Sequence, residues 1–221
     1  MKEIGFIFDM DGVIVNNHHY HYLAWQRIAE KYGVMIDETF YREKMNGRTL
    51  MELMDIVFER KMSKEEAREI GLEKEAVYRE LYKEHRRPTA GLIDFMETAR
   101  SKNIPMVVGT SAPPVNVTYT LEDLDLLHYF VGVVDDSMVK QGKPDPEVYL
   151  RCAEMIGRAP KNCIVFEDAV SGIRAGESAG AQVVALATSH AREELPAQWI
   201  IDDFTQLTWD MIGKVLHLDT P

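Results

Sequence analysis

Two rhythms of apolar residues divide this chain. Ile4 to Phe8 is a nearly continuous apolar run with Gly5 as its only gap, the pattern of a short strand buried on both faces. From about Asn17 to Arg87 no strand pattern recurs. Tyr20, Ala24, Ile28 and Tyr32 return every four residues, with Trp25 and Ala29 alongside, and Thr49-x-x-Glu52 and Ser63-x-x-Glu66 have the form of capping boxes that open two further helices. The segment is therefore predicted to be all-helical, and its part rich in Glu, Lys and Arg, Glu59 to Arg87, reads as solvated helix surface.

Past Pro88, short apolar runs alternate with longer helical ones. Strands are expected at Met106 to Val108, Val131 to Val134, Cys163 to Phe166, Gln182 to Leu186 and Trp199 to Ile201. Helices are expected near Gly91 to Lys102, Pro114 to Leu124, Pro146 to Ile156, Gly172 to Ala179 and Thr205 to Leu216. Such alternation implies an α/β fold, a doubly wound, Rossmann-like parallel sheet with helices on both faces. Ile4 to Phe8 has nowhere to bury itself except that sheet. Residues 1–16 and 88–221 then form the α/β part, and 17–87 an inserted helical block.

Composition adds limits more than content. The 221 residues are 46% hydrophobic and 28% charged, as in ordinary globular proteins, and the formal net charge of -11 argues against a sequence-independent nucleic-acid binder. The apolar run before Asp9 is too short for a secretory signal, and about 18 consecutive apolar residues occur nowhere, so no membrane role is expected. Cys152 sits in a helical pattern and Cys163 in an apolar run, neither resembling a disulfide half or a metal-ligand pair. A cytoplasmic monomer is the expectation.

The chemistry is expected at the strand ends, because doubly wound sheets bind ligands beyond the carboxyl ends of their strands. The first strand ends in Asp9-Met10-Asp11-Gly12. Carboxylates are rarely buried alone, and an acidic turn suits a hard dication such as Mg2+, which leaves coordination positions open for phosphate oxygens. The bland alternative is that Asp9 and Asp11 cap a loop. The second strand ends in Thr110-Ser111, a hydroxyl turn able to hold phosphate oxygens or simply a loop. Lys143, in Gln141-Gly142-Lys143-Pro144-Asp145-Pro146, can aim a point charge at phosphate or lie in solvent, while Asp145 and Pro146 read as N-cap and first residue of a helix. The fourth strand ends in Glu167-Asp168, where Asp168 alone could be an N-cap. Four carboxylates at neighbouring strand ends cannot all ionise without a compensating charge.

Taken together and in this order, Phe8-Asp9-Met10-Asp11-Gly12, the Thr110 turn, Gly142-Lys143-Pro144-Asp145-Pro146 and Phe166-Glu167-Asp168-Ala169-Val170-Ser171-Gly172 resemble the haloacid dehalogenase superfamily, essentially over the whole chain. The chain is most similar to the β-phosphoglucomutase-like enzymes and small-molecule phosphatases with a helical cap after strand one. That resemblance implies Asp9 as the nucleophile forming an aspartyl-phosphate and Asp11 as general acid and base. It also implies Mg2+ held by Asp9, the Asp11 backbone carbonyl and Asp168 with Glu167 close by, and phosphoryl oxygens gripped by Thr110, Ser111 and Lys143.

The cap decides between hydrolysis and mutase chemistry. His21, four residues before Trp25, and Lys74, four before Tyr78, fall where such mutases carry a cap histidine and a substrate lysine, although sugar-phosphate phosphatases also show His-x-x-x-Trp. The mutases read Gly-x-Ser-Arg, whereas Gly47-Arg48-Thr49-Leu50 places Arg48 two residues early, and Pro113 stands where they tend to have a basic residue. Asn16 and Asn17 replace the usual Asp and Ser/Thr near the hinge. His18, His19 and His21 are expected to face solvent or substrate and not to form a metal cluster. The expectation is an Mg2+-dependent phosphatase of small phosphorylated metabolites, sugar phosphates foremost, with a phosphosugar mutase as the alternative and a phospho-acceptor module without turnover as a remote third.

Overall fold

The computed structural model describes residues 3–45 and 50–217. The chain divides into two units, Met1–Asn16 with Arg87–Pro221, and Asn17–Arg86. Among the described residues the helices are α1 His18–Lys31, α2 Glu38–Phe40, α3 Leu50–Phe58 and α4 Lys64–Tyr82 in the second unit. The first unit holds α5 Leu92–Ser101, α6 Pro114–Val117, α7 Glu147–Met155, α8 Val170–Ser178 and α9 Trp209–Val215.

The first unit is built on six strands, β1 Gly5–Phe8, β2 Met106–Gly109, β3 Val133–Val134, β4 Cys163–Glu167, β5 Gln182–Leu186 and β6 Trp199–Ile201, in the order β3-β2-β1-β4-β5-β6. Every pairing is parallel. β1 lies where the order reverses, between β2 and β4, so its carboxyl end opens at the switch point where such sheets take ligands.

Alternation along the strands sorts side chains between two faces. Phe6 and Phe8 meet Phe95, Phe166 and Phe204 in an aromatic layer, with the Phe8 and Phe166 rings stacked at 4.9 Å. Ile7 points the other way, into a buried cluster with Val107, Cys163, Val165 and the α7 residues Tyr149 and Cys152. By the same period of two, Asp9 follows Ile7 and Glu167 follows Cys163 and Val165 onto the α7 side. Gly109 follows Val107 there, and it must be small: a Cβ would stand 2.7 Å from Cys152 Sγ.

Some expected elements shift. The stretch Pro114–Leu124 is α6 followed by a wide-turn π segment, Thr118–Glu122, and not one regular helix. α7 begins at Glu147 with Pro146 as its cap residue, one position later than expected, and the Asp145 carboxylate accepts the Glu147 N–H at 2.9 Å. The helix expected from Gly172 starts at Val170 and is preceded by Ala169, so Asp168 is not its N-cap residue. The last helix starts at Trp209, with the Thr208 hydroxyl accepting the Met211 N–H at 3.1 Å, and the residues before it form a short 3-10 turn, Phe204–Gln206. At the sheet edge the Val131 N–H still bonds to Met106 O at 2.8 Å, although the regular strand covers only Val133–Val134.

The second unit buries Trp25, Ile28 and Ala29 of α1 against Leu53, Met54, Val57, Ala67 and Ile70. Tyr32, counted in the α1 stripe, is 43% exposed, so the buried face turns with Ala24 and Trp25 instead. The charge-dense segment is not all surface: α4 buries Ala67, Ile70, Lys74, Tyr78 and Tyr82 along one face. Ser63 caps α4 by accepting the Glu66 N–H at 3.1 Å. The expected Thr49 cap and Arg48 lie outside the described residues.

Candidate active site

Three carboxylates and one ammonium converge at the carboxyl ends of β1 and β4. The β1–β4 register pairs Phe8 with Phe166, and the Asp9 N–H continues it to Phe166 O at 2.9 Å. One residue further, Asp9 and Glu167 are brought to the same face. Lys143 Nζ joins them, donating to Asp9 Oδ1 at 2.6 Å, Glu167 Oε1 at 2.7 Å and Gly109 O at 3.3 Å. Lys143 precedes α7, which covers that face, so its ammonium arrives over the sheet instead of from solvent.

Asp9 leaves the strand direction through a tight turn. Met10 O accepts the N–H of Ile14 at 2.9 Å and of Val15 at 3.2 Å, Gly12 N–H bonds to Val15 O at 2.7 Å, and Gly12 adopts φ +81°, which favours glycine. Asp11 sits in this turn, bridged to Val15 and partly exposed. A loop after β5 ties the turn to β4: Thr188 Oγ1 donates to Gly12 O at 2.6 Å, and Ser189 Oγ to Asp168 O at 2.8 Å.

Glu167 is fully engaged. Its Oε1 accepts from Lys143 and from the Tyr149 hydroxyl at 2.7 Å, and its Oε2 from the N–H groups of Asp168 at 2.7 Å and Ala169 at 2.8 Å. Gly172 makes room for it, since a Cβ there would lie 1.6 Å from Oε1. Tyr149 also places its ring 4.9 Å beneath the Lys143 ammonium.

The electrostatics follow from burial. Asp9, Glu167 and Asp168 are 7%, 1% and 1% exposed, and taking such charges out of water costs several kcal/mol each unless they are compensated. Burial raises the Asp9 carboxyl well above the usual carboxylate range; Lys143 opposes that shift, and Glu167, Asp168 and Asp11 add to it. For Lys143 burial works to lower the ammonium, but Asp9 and Glu167 outweigh it, so the group is held above the usual lysine range. The site thus sets three buried acidic groups beside a single ammonium. Oxygens of Asp9, Glu167 and Asp168 lie within 4.8 Å of one another. An acidic, all-oxygen donor set this close together fits a hard dication.

Thr110 is buried at the end of β2. Its hydroxyl accepts the Ala112 N–H at 3.0 Å and keeps its own hydrogen to give, while Ser111 beside it is exposed. In the second unit, Lys74 Nζ contacts His21 Nδ1 at 2.6 Å and Glu75 Oε1 at 2.8 Å, His21 stacks on Tyr78 at 3.9 Å, and Asn17 donates to the Tyr78 hydroxyl at 2.6 Å. His18 is half-buried and His19 exposed. Arg48 lies outside the described residues.

Sequence reasoning missed Tyr149, Thr188 and Ser189. Tyr149 shares a helical stripe with Cys152 and Ala153, facing the strand that ends in Glu167, and that stripe was its available signal. Thr188 and Ser189 follow β5, a strand end that the search for chemistry did not reach.

Comparison with known proteins agrees with this geometry. Residues 5–180 match the haloacid dehalogenase-like hydrolase family. A phosphorylated carbohydrates phosphatase of Thermotoga maritima is 37% identical over 180 residues, 79% of this chain and 80% of that protein. Among solved structures, a haloacid dehalogenase hydrolase of family IA, variant 3, from Entamoeba histolytica superposes with a TM-score of 0.91 at 27% identity, covering 97% of this chain and 99% of that one. A β-phosphoglucomutase of Clostridium difficile gives 0.86 at 31% identity, covering 98% of each. The chain belongs to the haloacid dehalogenase-like hydrolase family. Within it the chain is an enzyme of the phosphatase type, with β-phosphoglucomutase-like relatives. Among the described residues, no helix is long and apolar enough to cross a membrane.

Proposed function

We propose that this enzyme is an Mg2+-dependent phosphohydrolase of small phosphorylated metabolites, sugar phosphates among them, and that it works through an aspartyl-phosphate on Asp9. The observation that carries the reading is the Asp9–Lys143–Glu167 constellation at the switch point. The carbohydrate-phosphate activity named for the Thermotoga relative supports the substrate class. Residues 1–16 and 88–221 serve as the catalytic unit and 17–87 as the cap. Cys152 and Cys163, both buried and free, are in keeping with a cytoplasmic setting.

An Asp9 oxygen attacks the phosphorus, and the bond from phosphorus to the leaving oxygen breaks as Asp11 gives that oxygen its proton. Water then attacks the phosphorus, Asp11 takes the proton back from it, and the bond to Asp9 breaks to release inorganic phosphate. Asp9 and Asp168, with the Asp11 carbonyl, would hold Mg2+, which supplies charge neutralisation for the transferring group. Lys143 and Thr110 give hydrogen bonds to the non-bridging oxygens, and Ser111 closes the same turn. His21 and Lys74 serve recognition of the remainder of the substrate, with Arg48 as a further candidate.

A screen of phosphomonoesters for phosphate release with Mg2+ tests the reading, and a wild-type enzyme that releases none under any condition sinks it. The full-length likeness to a β-phosphoglucomutase, together with the His21–Lys74 contact, favours a second reading. A mutase converts glucose 1-phosphate to glucose 6-phosphate with a bisphosphate primer and no free phosphate.

A further inference from the structure

Glu167 counts among the acidic groups close enough to share a cation, yet its hydrogen bonding assigns it other work. A carboxylate offers about four lone-pair sites. Lys143, Tyr149 and the N–H groups of Asp168 and Ala169 supply four donors, all between 2.7 and 2.8 Å. From this we infer that Glu167 stays outside the cation's coordination shell and acts as a clamp, and that the Tyr149 hydroxyl is the positioning group that sets it.

The clamp has two arms. Through Oε2, Glu167 is tied to the N–H groups of Asp168 and Ala169, two bonds that stay in place whether or not the Tyr149 hydroxyl is present. Through Oε1 it holds the Lys143 ammonium, whose only other described acceptors are Asp9 Oδ1 and Gly109 O. When a phosphoryl group draws on Lys143, Tyr149 remains as the donor that keeps Oε1 in place. Tyr149 is wholly buried in the α7 layer and cannot swing away. Its burial, together with Glu167 and Asp9, holds the phenol above its usual range, so it stays a donor across the working pH range.

The inference rests on the phosphatase reading for the identity of the anion, so its test avoids turnover. Tyr149→Phe keeps the ring beneath Lys143 and removes only the hydroxyl. Mn2+ would be titrated into the wild type and the variant, with free ion followed by electron paramagnetic resonance. Inorganic phosphate would then be titrated by calorimetry at saturating Mn2+. The expected result is phosphate binding weakened about tenfold, as for loss of one hydrogen bond to a charged group, with Mn2+ affinity changed less than about twofold.

Unchanged phosphate affinity, with or without a lower melting temperature, overturns the inference in favour of plain packing. Mn2+ affinity falling in parallel overturns it too, because Glu167 would then belong to the cation's shell. A wild type that binds both ions with the expected contrast but hydrolyses no phosphomonoester leaves the clamp standing and removes the activity assigned above. A wild type that takes up no phosphate removes both.

Discussion

Lys143 and Lys74 keep only 8% and 6% of their side-chain exposure, but the two units hold them by different means. Lys143 bridges two buried carboxylates whose positions are set by a parallel ladder, with partners 134 and 24 residues away in sequence. Lys74 meets an imidazole on another helix and the carboxylate of its immediate neighbour Glu75, which is 20% exposed on its side chain. A strand end fixes direction through backbone bonds on either side. A helix pair fixes it through side-chain contacts, the polar ones to His21 and Glu75 and the 3.9 Å stack of His21 on Tyr78. The first arrangement suits a reaction that tolerates little displacement, the second a surface that adapts to different substrates.

The contrast predicts graded failures. Replacing the proposed nucleophile, Asp9→Asn, is expected to lower phosphate release by about 10^4-fold or more while the protein keeps its circular dichroism spectrum. Lys143→Met leaves Asp9 and Glu167 facing each other without a cation; a loss of about 3–5 kcal/mol in denaturant unfolding, along with activity, is expected. Gly172→Ala drives a methyl into Glu167 and is expected to destabilise by about 1–3 kcal/mol, with phosphate release reduced for every substrate alike. Chelation by EDTA is expected to abolish turnover and Mg2+ to restore it; undiminished activity after exhaustive chelation would contradict the acidic-site assignment.

The helical unit should fail more mildly and more selectively. Lys74→Met is expected to raise KM for sugar phosphates about tenfold and to leave p-nitrophenyl phosphate hydrolysis nearly unchanged. Equal losses on both substrates would show the two regions to be less different than their construction suggests.

The sheet and its acidic ends were legible because strand runs and the residues after them are local features. Asp9, Asp11, Thr110, Lys143, Glu167 and Asp168 each follow a strand or precede a helix, so reading the ends in turn finds them. Tyr149 was not legible in that way: its part in the site depends on the face it shares with Glu167, which needs the register between helix and sheet. The π segment Thr118–Glu122 reads as ordinary helix, because wide-turn hydrogen bonding leaves no mark on apolar spacing. Lys74 was singled out through the resemblance, four residues before Tyr78, but the buried stripe it shares with Ala67, Ile70, Tyr78 and Tyr82 was not, because a charge-dense stretch reads as solvated surface.

Because Cys163, Val165 and Glu167 take one side of the sheet while Ile164 and Phe166 take the other, the reactive arrangement depends on parity as well as on residue identity. Inserting a single residue between Cys163 and Phe166 would preserve every acidic letter of the chain and still send the glutamate into the aromatic layer. Evolutionary drift in this strand is thereby confined to substitutions, with changes of length left to the loops.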